Sequence, residues 1–302
     1  MAACYDSCPH EFPAMKALIL NADDFGLTLG INEGIVRAHR DGILTSTTLM
    51  ANAPAFDDAV KRAKENPSLG VGVHLVLIGG RPVAKPEEVA SLVDDKGQLP
   101  QSLPNFVARV TSKAIRPEHM EKELESQIEK VRSMGIIPTH VDSHKHTHAH
   151  PSVMESVARV ASALGIRRIR KPFEELRDSW NSTRGARSVT MSQLAASAAA
   201  RVTSRSFATT CERYGLKSPD RFLGLARTGS ISAPVLRSLI DTLCDGTTEI
   251  MLHPGICDSD LSQTRSRLQM HRQVELDAAV SSQVKEIIAE RAVRLITYRE
   301  VN

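Results

Sequence analysis

The sequence has few cysteines, no long apolar run and no nucleotide-binding loop, and each absence excludes a class of protein. Its 302 residues include five cysteines and no CxxC pair, so neither a disulfide framework nor a cysteine zinc site is expected. A reducing cytoplasm is therefore the expected compartment. No apolar run reaches the roughly 18 residues that predict a transmembrane helix. The opening residues lack the basic start and apolar stretch of a signal peptide. The absence of a GxSxG elbow, a P-loop and a GxGxxG turn favours chemistry without a nucleotide cofactor.

Charge is distributed unevenly along the chain. The net charge is +3, yet Arg159 to Arg227 alone carries 14 Lys or Arg against 5 Asp or Glu. This basic block contains few aromatic residues and shows no signature of a surface that stacks RNA bases. We therefore expect no nucleic-acid partner.

Segments with strand and helix periodicity alternate about seven times after an N-terminal tail of residues 1–15. Such alternation predicts one α/β domain, residues 16–302, with a parallel sheet that is either a barrel or doubly wound. Excursions from the pattern are expected at about 81–112 and 174–222. The predicted strands are Lys16–Phe25, Leu44–Ala53, Leu69–Ile78, Thr139–His144, Arg167–Pro172, Glu249–Gly255 and Arg294–Tyr298. The predicted helices are Gly30–Asp41, Ala55–Glu65, Pro117–Met134, one starting at Pro151, Met191–Arg205 and Arg267–Glu290.

Polar residues lie where several predicted strands end. In a barrel the carboxyl ends of the strands converge on one face, where active sites form. Residues far apart in the sequence can therefore meet there around one ion. The residues concerned are Asp23, Asp24, His74, Asp142, His144 and His253.

Histidine is concentrated around the fourth predicted strand, where 5 of the 11 histidines fall between His140 and His150. Alternation along an extended segment would let Asp142, His144 and His146 share one face, and His140 could join them. The alternative is a solvated histidine-rich loop or an adventitious metal tract.

Two imidazoles and one carboxylate with open positions suit a catalytic divalent ion. A free carboxylate beside such an ion can accept a proton from water, and a histidine can protonate a leaving group, which predicts metal-assisted hydrolysis. Each residue also has an ordinary structural interpretation. Asp23 and Asp24 could cap a helix or occupy a turn, His74 could be a core histidine, and His253 could be a turn residue.

Five motifs occur in an order that resembles the YdjC-like carbohydrate deacetylases, from about Lys16 to Tyr298. They are NADDFGLTLGINEGI, ILTSTTLMANAPAF, VGVHLVLIGGRPV, PTHVDSHKHTH and EIMLHPG. The resemblance implies a distorted TIM-like (β/α) barrel. It also implies removal of acetyl groups from N-acetylated amino sugars with one divalent metal ion, Mg²⁺ or Zn²⁺.

The resemblance also implies roles for individual residues. Asp24, His74 and His144 would be metal ligands. Asp23 would be the general base, and His253 the acid for the leaving amine. His140, Asp142 and His146 would support the ligands or bind substrate.

Within the family, the stretch HLVLIGGRPV…IPTHVDSHKHTHAHP is most similar to hopanoid-biosynthesis deacetylases (HpnK-like), which implies an N-acetylglucosaminyl hopanoid as substrate. The basic block would fit peripheral contact with the inner face of a membrane, although it could equally be a solvated surface. A homodimer is also compatible with this interpretation. Three alternatives stay open: a deacetylase of soluble chitooligosaccharides, a metal-dependent phosphoesterase that uses His146 or His148 for a second metal, and a metal-storage protein.

Overall fold

The computed structural model describes residues 15–174, 204–264 and 266–302. Within these ranges, seven parallel strands form one sheet in the spatial order β4-β3-β2-β1-β6-β5, and β7 pairs with β1. They are β1 Lys16–Phe25, β2 Ser46–Leu49, β3 Gly70–Leu75, β4 Val141–Ser143, β5 Arg221–Leu223, β6 Gly246–Leu252 and β7 Arg294–Leu295. The fold is a single α/β domain with a curled parallel sheet, as expected for a distorted TIM-like barrel.

Two isolated bridges continue the curl beyond β4. Val141 pairs with Ile169, and Arg168 pairs with Lys217 shortly before β5 begins. The segment around Ile169 thus lies between β4 and the residues that lead into β5, which brings the sheet towards closure. Residues near this segment can therefore reach the interior beside β1.

Helices cover the outside of the sheet. In the described ranges they are α1 Leu29–Arg40, α2 Phe56–Glu65, α3 Leu103–Thr111, α4 Pro117–Ser133, α5 Pro151–Ala163, α6 Ser204–Tyr214, α7 Ala233–Asp241, α8 Ser259–Gln263, α9 His271–Val280 and α10 Ser282–Glu290. Short 3₁₀ turns lie at Pro86–Val89, His144–Ala149 and Tyr298–Glu300. Among these described helices, none has both the length and the apolar character needed to cross a membrane.

Strand β1 is the centre of the sheet and pairs with β2, β6 and β7. Leu18, Ile19 and Leu20 are completely buried, as is typical of a parallel strand covered on both faces. Burying a side chain of this size contributes roughly 1.5–3 kcal/mol. The strand therefore anchors the carboxylates at its carboxyl end on a rigid element.

Several predicted boundaries are wrong. The strand expected at Leu44–Ala53 is reduced to β2, and the strand expected at Arg167–Pro172 consists only of the two isolated bridges. The single helix expected at Arg267–Glu290 is two helices, because Ser281 has an extended ψ of 134° between α9 and α10. Helix α3 lies within the expected excursion at 81–112.

Other elements were absent from the sequence prediction or cannot be compared with it. Strand β5 and helix α7 were not predicted, because their apolar stretches are short. The helix expected at Met191–Arg205 falls almost entirely outside the described residues.

Candidate metal centre and active-site cavity

Asp24, the second of two adjacent carboxylates at the end of β1, lies in a strained turn. Asp24 has a left-handed backbone, with φ of 67°, a conformation that costs roughly 1–2 kcal/mol for a residue with a side chain. The turn is closed by a hydrogen bond from the Leu27 amide to the Asp24 carbonyl at 3.0 Å, and Asn32 accepts the Gly26 amide at 2.7 Å. Strain of this kind concentrates at functional sites.

Asp24, His74 and His144 form a group of three potential metal donors. The Asp24 Oδ1 atom lies 3.6 Å from His74 Nε2 and 3.4 Å from His144 Nδ1. All three donor atoms lie within 4.8 Å of one another. Asp24 Oδ1 is buried and has no hydrogen-bond partner, which is costly unless a cation or donor occupies the space beside it. One oxygen and two nitrogen donors therefore fit a divalent metal ion.

His74 is held in place by the neighbouring strand. Its Cα lies in register with that of Asp142, whose Oδ1 is 2.7 Å from His74 Nδ1, while Thr48 donates to Asp142 Oδ2 at 3.0 Å. A carboxylate behind the second ring nitrogen is the usual support for a metal-ligating histidine. Burial disfavours the charged ring, but the charges of Asp142, Asp23 and Asp24 outweigh it and raise the pKa of His74 to about 9.

A second group of possible donors, Asp23, His74 and Asp142, also lies close together. Its two carboxylates are already paired with a buried guanidinium. Arg170 donates to the two oxygens of Asp23 at 2.7 Å each and contacts Asp142 Oδ2 at 2.7 Å. Of the two groups, the one that contains Asp24 is therefore the better candidate for a metal site.

Arg170 is completely buried and also contacts Glu249, with Nε donating at 2.9 Å. Burial alone would raise the pKa of Asp23, but the adjacent Arg170 charge holds this pKa below its ordinary value. Asp23 is therefore an ionised carboxylate in a fixed orientation on the cavity wall. Oδ1 also accepts the Asn21 side-chain amide at 3.1 Å, whereas Oδ2 accepts from Arg170 alone and keeps a lone pair that can accept a proton.

His140 lies next to the buried charges and does not join the donor group. Its ring stacks on Tyr298 with centroids 3.6 Å apart, and its Nδ1 is 2.8 Å from Thr139 Oγ1. Gly72 makes room for the ring, since a Cβ there would lie 2.6 Å from it. Burial lowers the pKa of His140 to about 3, so the ring is neutral.

The other histidines of the cluster have separate positions because β4 ends at Ser143. Lys145 and His146 adopt left-handed φ values of 55° and 51° in the turn that follows. His146 packs against Phe222 at 5.7 Å and lines the cavity. The expectation that alternation along a strand places His146 beside His144 is therefore wrong, since a turn separates them.

His148 and His150 have structural contacts in the same turn. His148 Nδ1 pairs with Ser143 Oγ at 2.5 Å and its Nε2 lies 3.1 Å from the Arg170 carbonyl. His150 caps α5 by accepting the Ser152 amide at 3.2 Å. The interpretation of the whole cluster as a solvated loop does not fit, because His140 and His148 are almost fully buried.

A cavity of about 780 Å³ opens onto the donor group, within the usual size range of a small-molecule site. Asp23, Asp24, His74, His144 and His253 all line it. The cavity therefore brings together a potential metal site, a carboxylate outside the donor group and a further imidazole. This arrangement suits hydrolysis of a bond held over the donor group.

Apolar and polar side chains also line the cavity. The apolar ones include Leu27, Met50, Val76, Ile78, Leu103 and Leu225, and the polar ones include Asn52, Gln98, Lys145 and Arg267.

Sequence reasoning did not identify four residues around the site. Arg170 appeared only as part of a predicted strand, and Tyr298 only as the end of another. Arg272, which donates to Asp24 Oδ2 at 2.5 Å, and Glu275, which accepts the His253 amide at 2.6 Å, lie on a helix distant in sequence. No local pattern marks them, because their partners are brought close only by the fold.

Comparison with known proteins identifies one protein family that matches nearly the whole chain. Residues 17–290 match the family of YdjC-like proteins. A carbohydrate deacetylase from Geobacillus stearothermophilus is 38% identical over 283 residues, covering 93% of this chain and 96% of the relative. A carbohydrate deacetylase from Thermoanaerobacter pseudethanolicus is 32% identical, covering 94% and 98%.

Among solved structures, a protein from Enterococcus faecalis V583 described as a candidate cellobiose-phosphate cleavage protein is similar. Its TM-score is 0.76 at 28% identity, and the match covers 94% of this chain and 98% of that one. These proteins match the chain in sequence, in length and, for the solved structure, in fold. The chain therefore belongs to the YdjC-like family.

Proposed function

We propose that this chain is a metal-dependent carbohydrate deacetylase that hydrolyses the N-acetyl group of an N-acetylated amino sugar to give acetate and the free amine. The observation that carries the proposal is the buried Oδ1 of Asp24, which has no hydrogen-bond partner and faces His74 and His144 at the cavity wall. The curated relatives named carbohydrate deacetylases support the choice of substrate class.

One divalent ion, Zn²⁺ or Mg²⁺, would be held by Asp24, His74 and His144. Two imidazoles are typical ligands of zinc, whereas magnesium prefers oxygen donors, so zinc suits the donor set better. A bound ion would supply Lewis-acid polarisation of the amide carbonyl and a lower pKa for water.

The protein's own residues would move the protons. Asp23, oriented by Arg170, accepts a proton from the attacking water. His253, on the same cavity, donates a proton to the amine as the C–N bond breaks. The acetyl carbon thereby gains the water oxygen and loses the sugar nitrogen, which leaves acetate and a free amino sugar.

The carbohydrate is proposed to be N-acetylglucosamine linked to a hopanoid lipid. The cavity wall supports this choice, because its apolar side chains could contact a lipid close to the sugar while its polar ones serve hydroxyl groups. Soluble chitooligosaccharides are the alternative substrates. Three expectations stay predictions: cytoplasmic localisation, peripheral contact of residues 159–227 with anionic lipid, and a homodimer.

The test of the proposed function is mass spectrometry of candidate substrates after incubation with and without a chelator. We expect loss of one acetyl group from an N-acetylated sugar or glycolipid, abolished by the chelator. Hydrolysis of phosphate esters instead, with two metal equivalents per chain, would favour the phosphoesterase alternative.

Turnover on soluble oligomers and on the N-acetylglucosaminyl hopanoid separates the two substrate classes, and vesicle co-sedimentation at low and high salt tests lipid contact. Binding that rises with anionic lipid and falls with salt is expected. Equal turnover on both substrates, with no vesicle binding, would leave only the soluble amino-sugar deacetylase.

A further inference from the structure

Helix α9 contacts two residues with proposed roles in the reaction, and it does so through side chains one turn apart. Arg272 and Glu275 are spaced i, i+3, so they lie on one face of the helix. Their exposures are 1% and 0%. The backbone joins the same region, since the Gly255 amide donates to the Arg272 carbonyl at 3.2 Å. The first turns of α9 are thus fixed against the segment that follows β6.

Arg272 determines which oxygen of Asp24 stays available. Its Nη2 donates to Asp24 Oδ2 at 2.5 Å, and its Nε donates to the Leu268 carbonyl at 3.2 Å. Because Nε is held by the Leu268 carbonyl, the planar guanidinium presents Nη2 to Oδ2 from a fixed position, which opposes rotation of the carboxylate. Oδ2 is therefore occupied, and Oδ1 faces the two histidines.

Glu275 fixes the segment that carries His253. Its Oε2 accepts the His253 backbone amide at 2.6 Å and lies 3.8 Å from the Nδ1 atom of the ring. Its Oε1 accepts the amides of Gly229 at 2.8 Å and Ile231 at 3.4 Å. Both oxygens serve as acceptors, so a carboxylate fits and an amide would present a donor to one of the N–H groups.

We propose that Arg272 and Glu275 are a pair of positioning residues: Arg272 restricts Asp24 to ligation through one oxygen, and Glu275 orients His253 towards the substrate. The inference rests on the proposed function of the same site. It assigns the two residues different effects, one on metal affinity and the other on turnover.

Arg272 could also act on the metal simply through its positive charge. A cation beside the site repels a divalent ion, so removing the charge would strengthen binding if repulsion were its main effect. If Arg272 instead positions Asp24, its removal weakens metal binding, because partners of metal ligands typically contribute 10- to 100-fold to affinity. The two roles are therefore separable by the direction of the change.

The experiment uses the full chain stripped of metal, with Zn²⁺ binding measured by calorimetry and deacetylation kinetics measured at saturating Zn²⁺. Arg272→Lys keeps the charge and Arg272→Gln removes it. Both should weaken Zn²⁺ binding by roughly 10- to 100-fold. Glu275→Gln should leave Zn²⁺ affinity within about twofold and lower kcat by roughly 10- to 100-fold at unchanged KM. Glu275→Asp, which keeps the charge, should recover part of kcat.

Asp277→Ala, at an exposed position on the same helix, is the matched control and should change neither quantity. Wild-type affinity in Arg272→Lys, or tighter binding in Arg272→Gln, would overturn the role of Arg272. A loss of Zn²⁺ affinity in Glu275→Gln that parallels its loss of kcat would show general loosening of α9 and overturn the role of Glu275.

Circular dichroism and urea unfolding establish that each variant folds. If a Gln variant does not fold, the charge-conserving variant at the same position decides the outcome. A wild-type chain that binds no metal or releases no acetate would instead refute the proposed function, so the two failures are distinguishable.

Discussion

Acidification should destabilise the metal-free protein because two buried histidines stay neutral in the fold. Burial lowers the pKa of His140 to about 3 and that of His148 to about 4, from an ordinary value of 6.5. The unfolded chain therefore binds protons that the folded chain excludes once the pH falls below 6.5. The stabilisation from these two groups is complete above pH 6.5 and is lost as pH falls, towards 4 for His148 and towards 3 for His140.

The size of the loss in stability follows from how far the pH falls below 6.5. Between pH 6.5 and 5, the contribution of each histidine to the free energy of unfolding falls by about 2 kcal/mol, at about 1.4 kcal/mol per pH unit. Two such groups account for about 4 kcal/mol, a large part of the roughly 5–15 kcal/mol by which domains are stable. His74 contributes at higher pH, since its raised pKa of about 9 gives stability that is lost between 6.5 and 9.

The assay is urea unfolding in the presence of a chelator at several pH values from 5 to 6.5. In His148→Asn, the side-chain amide replaces Nδ1 and can still contact Ser143. The variant has one fewer group that binds a proton in this pH range. The slope of the free energy of unfolding against pH should fall by about 1.4 kcal/mol per unit relative to wild type. His150→Asn, at a partly buried helix cap, is the control and should change the slope less. Equal slopes in wild type and His148→Asn would show that His148 binds a proton equally well in the folded and unfolded chain.

Three further substitutions test the site and its packing. Asp23→Asn should keep the metal while kcat falls by about 10²–10⁴-fold, measured by elemental analysis and acetate release, and loss of the metal would make Asp23 a ligand. Asp24→Ala should fold but lose the metal, and a full metal complement would refute its assignment as a ligand. Gly72→Ala should destabilise the protein by about 1–3 kcal/mol in urea unfolding, because the new Cβ would lie 2.6 Å from the His140 ring; unchanged stability would show that the ring can move aside.

The sequence predicts the parts of the fold that depend on local pattern. The apolar run Lys16–Phe25 and the helix that follows it agree with β1 and α1 within a residue or two. The ends of strands also place Asp24, His74 and His144 on one face, and the structure brings these three together. Local periodicity is sufficient there because Asp24 and His74 lie in the last two residues of β1 and β3, and His144 directly follows β4.

Residues that act through long-range contacts could not be predicted. Arg170 reaches Asp23 across 147 positions of sequence and Arg272 reaches Asp24 across 248, and no local pattern encodes such pairs. His146 was misplaced because the left-handed turn at Lys145 ends the strand's alternation. The break between α9 and α10 was missed since apolar periodicity continues across Ser281.

Titration of the metal-free chain with Zn²⁺, followed by acetate release from an N-acetylated amino sugar, measures whether one bound ion is necessary and sufficient for deacetylation. Acetate release should be absent without metal, rise linearly with added ion, and level off at one ion per chain. The same titration of His74→Ala should give no activity at any point. Deacetylation by the metal-free chain, or a plateau reached only at two ions per chain, would contradict a single catalytic ion held by Asp24, His74 and His144.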